Sequence, residues 1–344
     1  MTLPAGAYKL TGVSPRAFQH PADRAATAAL HQLPYLDEVV RRLIELGYEK
    51  ALRGAYLGSA VRLGQQQLPH VWALHREVCN VLDLADVPDL YLTQAPSSNA
   101  LTIGARNPIV VLHSETVELL DDTGQKVVLA HEAAHVLSDH ALYGTALQIL
   151  AGVGGGVRLP LLAGLPLLAI RAALLEWSRA AELSCDRAAA LVTRDPLAVC
   201  RALMVVSAGA AADRLDLDAF MKQGLDYDDR ASGLDRVPKL LFDLGLTHPL
   251  PVRRTHELLT WVRSGAYDRI VDGEYLRRGE EPGPRTEADA AAGHYAGRIQ
   301  DAVQSVGASV NDVGKSLGEW LRRQGAGGGA GGGDGDPTGG KPWR

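Results

Sequence analysis

At 344 residues the chain is long enough to bury a large core and to hold one or two domains. Its 46% hydrophobic and 22% charged residues are ordinary for a globular protein, and a net charge of −5 argues against a nucleic-acid partner. Three cysteines, Cys79, Cys185 and Cys200, form no C-x-x-C pair, which excludes a metal-thiolate cluster and a disulfide framework and fits a reducing compartment.

The N-terminal stretch MTLPAGAYKLTGVSPRAFQHPADRA has no charged region followed by an apolar one, so it does not read as a signal peptide and a cytoplasmic location is expected. Residues 20–58 read as helices, with Asp23 as a cap or first-turn acid and Leu36, Val39, Val40, Leu43 and Ile44 keeping a 3.6-residue period. Residues 68–85 read as a further helix. The clearest strands are DLYLTQ (89–94) and NPIVVLHS (107–114), β-branched and bounded by Pro, Ser, Asn and Gly. Helices dominate after residue 115, which makes the fold α+β and mostly helical.

The stretch VVLAHEAAHVLSDH (127–140) carries the chemistry. Val127, Ala130, Ala134 and Leu137 recur at helical spacing behind the polar lead-in DDTGQ. On such a helix His131 and His135 lie one turn apart on one face and can both point at a single metal ion. Glu132 sits at the edge of that face, where a carboxylate can reach a metal-bound water without displacing it. This is the H-E-x-x-H pattern of zinc peptidases, with the glutamate as general base. Two imidazoles are an incomplete site, because catalytic zinc takes three protein ligands and a water. The extended metzincin pattern fails, since Ser138 and Ala141 stand where it needs glycine and histidine. His140, at i+5 from His135, projects to a different helical face and reads as a surface residue or a neighbour of the ligands.

The run 145–175 has only Gln148 and Arg158 as polar residues between Ala146 and Ile170. Arg158 splits it into two apolar pieces, each too short to span a bilayer, and Pro160 and Pro166 interrupt it. It reads as a hairpin in contact with membrane or substrate, with interior packing and a true span as the alternatives. The next run, LEWSRAAELSCDRAAALV (175–192), supplies the best candidate for a third metal ligand. Glu182 and Asp186 are i, i+4 on a second alanine-rich helix. Glu182 suits an oxygen ligand, and Asp186 is placed to accept the other ring N–H of a ligating histidine. The alternative is a salt-bridged face with Arg179 and Arg187. An amphipathic helical segment follows at 283–324, and the glycine-rich tail 325–344 reads as disordered.

In order, NALTIG (99–104), VVLAHEAAHVLSDH, SRAAELSCDRAA and THPLPVRRTHEL (247–258) resemble the gluzincin family of the HtpX-like proteases and CAAX prenyl endopeptidases. The resemblance covers roughly residues 70–265, and only its H-E-x-x-H motif is specific alone. It implies a zincin-like domain with a small sheet whose edge strand lies beside the H-E-x-x-H helix. It also implies one Zn2+ on His131, His135 and Glu182, with Glu132 as base and Asp186 behind a ligand. His248 and Arg254, in an H-P-x-x-x-x-R pattern, are implied to lie near the reacting carbonyl. Leu101 and Cys185 depart from the family's usual aromatic and small residues without removing a functional group. The segment SSNALTIGARNPIVVLH is similar to the family's edge strand, so Asn99 and Ala100 are assigned to positioning an extended peptide or protein substrate by main-chain hydrogen bonds; a plain hairpin is the alternative.

The expected organisation is an N-terminal helical segment (1–66), a metallopeptidase domain (67–282), the amphipathic segment and the tail. The expected activity is zinc-dependent endopeptidase action, with protein quality control as its setting. The protein is expected in the cytoplasm, peripheral on the inner face of the membrane through 145–175. One rival is a catalytically silent scaffold that binds or chaperones, against which an intact Glu132 argues. A membrane-embedded protease of prenylated peptides would need several spans that this chain lacks.

Overall fold

Proline in the first turn, where a missing N–H costs nothing, starts several of this chain's helices. The computed structural model describes residues 8–31, 33, 35–45, 47–94, 99–104, 107–153, 167–231 and 250–281. Helix α1 (Pro21–Leu30) begins behind His20, whose ring accepts from the Ala22 amide, and α2 (Leu36–Glu45) and α3 (Tyr48–Ser59) continue the helical run expected there. Strand β1 (Val61–Arg62) and helix α4 (Pro69–Val81) lead to β2 (Asp89–Thr93), β3 (Ala100–Ile103) and β4 (Ile109–His113). Helices α5 (Ser114–Leu119), α6 (Asp122–Leu137), α7 (Ala141–Val153), α8 (Leu167–Thr193), α9 (Pro196–Ala208), α10 (Leu217–Ala231), α11 (Pro251–Arg263) and α12 (Ala266–Val271) complete the described chain. The fold is α+β and mostly helical, as its patterning implied.

Among the described residues the strands form one sheet in the order β1-β2-β4-β3, with β2 and β4 parallel and the other pairs antiparallel. Alternation along the strands divides their side chains between two faces. Leu90, Ala100, Val110 and Leu112 join the large core with α4 and α6, while Tyr91, Ile103, Ile109 and Val111 pack against Leu52 and Tyr56 of α3. Strand β3 ends the sheet. Its pairing puts Thr102 opposite Val110, so the Thr102 side chain shares the face that meets α6.

Helix α6 is buried between α4, α8 and α9. Asp121 caps it by accepting from the Gly124 amide at 2.8 Å. Its buried surface is built from small residues, Ala130, Ala133 and Ala134, and that of α8 from Ala181, Ala188 and Ala189. Small side chains let two helices approach closely, which brings polar groups on one within reach of polar groups on the other. Leu10, Val13 and Phe18, ahead of α1, are buried in the same core.

The flanks of the apolar run 145–175 pack inside. Ala146, Leu147 and Leu150 of α7 and Ile170, Ala173 and Leu174 of α8 form a second core with α1 and α2. Among the described residues, Pro196–Arg214 is helical, long and apolar enough to cross a membrane, with a mean hydropathy of 1.4. Its Val199, Cys200 and Leu203 are buried in the main core, as suits an interior helix. Residues 154–166, His248, the segment 283–324 and the tail 325–344 lie outside the described residues.

Candidate active site

Three ligand-type side chains converge between α6 and α8. His131 Nε2 and His135 Nε2 are 3.3 Å apart. Glu182 Oε2 lies 3.2 Å from His131 Nε2, and Glu182 Oε1 lies 3.4 Å from His135 Nε2. Four ligands held tetrahedrally at the usual zinc–nitrogen and zinc–oxygen lengths are separated by about 3.3–3.4 Å, which matches the spacing of the two imidazole nitrogens and the approach of one Glu182 oxygen to each of them. The charge balance agrees. The carboxylates of Glu132, Glu182 and Asp186 are buried, with the largely covered guanidinium of Arg254 beside two of them, and a divalent cation would offset negative charge that burial penalises. In the metal-free protein burial works against a charged His131, yet the Glu182 carboxylate and the Asp186 hydrogen bond hold its pKa up at about 9. Burial pushes the pKa of His135 down.

Each ligand-type residue has a partner behind it. His131 Nδ1 stands 3.1 Å from Asp186 Oδ1, and Arg254 grips that carboxylate with Nε on Oδ2 at 2.7 Å and Nη2 on Oδ1 at 2.6 Å. Arg254 Nη1 is 3.1 Å from Glu182 Oε2. With all three guanidinium nitrogens on carboxylates, Arg254 holds the Asp186 carboxyl below its ordinary range, outweighing the opposing effect of burial. Glu182 and Asp186 thus pair with His131, His135 and Arg254. Arg179 pairs with Glu176 instead, and Arg187 lies over the Trp261 ring.

Glu132 points toward the end of the sheet, where Thr102 Oγ1 donates to its Oε2 at 2.7 Å and also lies 3.2 Å from its main-chain oxygen. The threonine gives the carboxylate a fixed direction that the sequence motif does not reveal. In β3, the bond from the His113 amide to Asn99 O, at 3.0 Å, sets the alternation of the ladder. Residues 99, 101 and 103 turn their main-chain groups toward β4, and those of Ala100 and Thr102 face the outer edge. Asn99 Oδ1 accepts the Ala100 amide at 2.9 Å, and its main-chain oxygen also accepts from Thr116 Oγ1 at 2.6 Å.

His140 is not at the surface. Helix α6 ends at Leu137, and Asp139, at φ 56°, turns the chain through the left-handed region. The helical projection of residue 140 therefore no longer applies. Its ring returns to the site, 3% exposed, with Nδ1 3.3 Å from His135 Nδ1 and Nε2 3.1 Å from Asp23 Oδ2. Cys185 is the other unexpected neighbour, since its sulfur lies within 4.8 Å of ligand atoms of His131 and His135. In the metal-free protein burial, and then the Glu182 charge, push its thiol pKa well up.

The model of peptidase family M48 matches residues 69–262, close to the stretch on which the motif resemblance rests. The chain belongs to peptidase family M48. A relative in Arabidopsis thaliana, the chloroplastic plastoglobule-localized metallopeptidase 48, is 35% identical over 259 residues, 74% of this chain and 74% of that protein. No solved structure matches. The M48 chain is thus a metallopeptidase that acts on peptide or protein substrates, with the zincin-like fold its motifs implied.

Proposed function

We propose that the M48 chain is a zinc-dependent endopeptidase with the ion held by His131, His135 and Glu182 and with Glu132 as general base. The observation that carries this reading is the pair of imidazole nitrogens 3.3 Å apart, each with one Glu182 carboxylate oxygen at 3.2–3.4 Å. When bound, zinc lowers the pKa of a water toward neutrality and polarises the scissile carbonyl. Glu132, aimed by Thr102, takes a proton from the attacking water as its oxygen adds to the carbonyl carbon. The same carboxyl then delivers that proton to the amine as the carbon–nitrogen bond breaks. Asp186 fixes His131 with Nε2 turned inward, and Arg254 orients Glu182 and Asp186 and keeps the Asp186 carboxyl ionised. With the Arg254 guanidinium committed there, donation to the developing oxyanion falls to His248 in this proposal.

The substrate lies along the outer edge of β3 as an added strand, at Asn99 and Ala100. Ala100 C=O and the Thr102 main-chain groups are the hydrogen-bonding positions it meets. Because such recognition reads backbone, it tolerates varied side chains, which supports a role in protein quality control. Chelation tests the reading: casein digestion is expected to stop in 1,10-phenanthroline and to return with added Zn2+, and digestion that persists in metal-free protein would overturn it.

Thr102→Val keeps the shape of the side chain and removes the donor to Glu132. We expect full zinc content with kcat lowered about 10–100-fold, the equivalent of one hydrogen bond to a charged group. Unchanged turnover would show that Glu132 needs no such guide.

We further propose that the run 145–175, between the flanks that pack inside, makes an apolar contact with a lipid surface, the chain standing in the cytoplasm on the inner face of the membrane. The composition of the run supports this, as does the plastoglobule location in the relative's name. Mild detergent, but not salt, should then release the protein from membranes, because the acidic chain has little attraction for an anionic leaflet. Replacing Leu161 and Leu162 with serine should leave it soluble with zinc bound. A wild type that never sediments with membranes defeats this proposal.

A further inference from the structure

We propose that His140 and Asp23 form a positioning relay for His135, so that a residue of the N-terminal helix, well before the matched region 69–262, tunes the metal site. The inference rests on the zinc reading above. A histidine that offers Nε2 to a metal must carry its proton on Nδ1, and that N–H needs an acceptor. For His131 the acceptor is Asp186. For His135 the group at Nδ1 is the imidazole of His140, 3.3 Å away through its own Nδ1. An imidazole accepts there only if its proton sits on Nε2, and the group facing His140 Nε2 is the Asp23 carboxylate at 3.1 Å. That approach is an ion-pair contact rather than an aligned hydrogen bond, and a carboxylate so placed favours the proton on the facing nitrogen. The tautomers then agree along the whole chain, with Asp23 fixing His140, His140 accepting from His135 Nδ1, and His135 Nε2 left with its lone pair turned to Glu182 and His131.

The relay is rigidly built. Asp23 is fully buried, and Ser184 Oγ donates to its Oδ2 at 2.6 Å while accepting the His20 amide at 2.9 Å. Thr27 Oγ1 donates to its Oδ1 at 3.3 Å and in turn accepts from Trp177 Nε1 at 2.9 Å. The Trp177 ring lies edge-on to His140 with centroids 5.5 Å apart, which fixes the imidazole plane. This buried carboxylate, in a helix otherwise rich in alanine, faces the His140 ring and through it the site beyond.

The test measures Zn2+ affinity of the full chain by competition with a chromophoric chelator, together with the melting temperature of each metal-free protein. His140→Leu is expected to bind zinc about 10–100-fold more weakly. His140→Gln, whose side-chain oxygen can still accept from His135, should recover most of that loss, which a purely structural role does not explain. Asp23→Asn should weaken binding as well, and the double variant Asp23→Asn/His140→Leu should bind no more weakly than His140→Leu alone, because Asp23 acts through His140. Wild-type zinc affinity in a folded His140→Leu, or a glutamine variant no better than leucine, overturns the relay. Should His140→Leu fail to fold, Asp23→Asn decides, and unchanged affinity there overturns it. A wild type that binds no zinc defeats the zinc reading itself, whereas a wild type that binds and variants that match it defeat only the relay.

Discussion

Glu132→Gln is expected to retain zinc and the wild-type melting temperature while peptide hydrolysis falls by about 10²–10⁴-fold, the usual contribution of a positioned base. The amide keeps the volume of the side chain and can still accept from Thr102 Oγ1, which in the native protein lies 2.7 Å from Glu132 Oε2. What it lacks is the capacity to take a proton. His131, His135 and Glu182 are untouched, so the loss should appear in kcat with the metal still in place. Zinc analysis and casein digestion on the same preparation check this. Residual turnover near the wild-type rate would remove Glu132 from the chemistry, and a loss of zinc would make it a ligand.

Arg254→Ala is expected to have the largest effect on stability. It leaves Asp186 and Glu182, both buried, without the guanidinium that stands 2.6 and 3.1 Å from them. Removing one partner of a buried ion pair costs about 3–5 kcal/mol, because the remaining charge is stranded. The loss should be greatest in the metal-free protein and smaller with zinc bound, since a divalent cation next to the two carboxylates offsets part of the stranded charge. Thermal melting with and without Zn2+ reads both terms. A metal-free melting temperature unchanged from wild type would mean that the cluster relaxes to water, and that Arg254 is no structural partner of α8.

The sequence made periodic features plain and hid those that depend on where elements stop. His131, Glu132 and His135 follow from one motif, and Glu182 with Asp186 from i, i+4 spacing on an alanine-rich helix. The structure brings His131, His135, Glu182 and Asp186 together between α6 and α8 and turns Glu132 to Thr102 of β3. Arg254 entered through its motif alone, and no pattern pointed to its hold on Asp186, since the two residues are far apart in the chain. Of the two readings of His140, the neighbour of the ligands holds and the surface position does not, because α6 ends three residues earlier, at Leu137, and a left-handed Asp139 turns the chain back. Asp23 read as an ordinary first-turn acid. The signal that it does more is its charge within a helix of small apolar residues, and that becomes visible only once α1 is seen to pack on α8. Thr102 was hidden for another reason: a lone threonine in a strand is a common β-former, and its direction depends on the register with β4.

The ligand set itself is tested most directly by X-ray absorption at the zinc edge of the zinc-loaded protein. Two imidazoles and a carboxylate give only nitrogen and oxygen neighbours, at about 2.0–2.2 Å. Cys185, whose sulfur lies within 4.8 Å of ligand atoms of both histidines, would instead give a sulfur neighbour at about 2.3 Å. A shell of light atoms with imidazole scattering, lost when both His131 and His135 are replaced, is the expected result. A sulfur in that shell would put Cys185 in the place assigned to Glu182 and contradict the site described here.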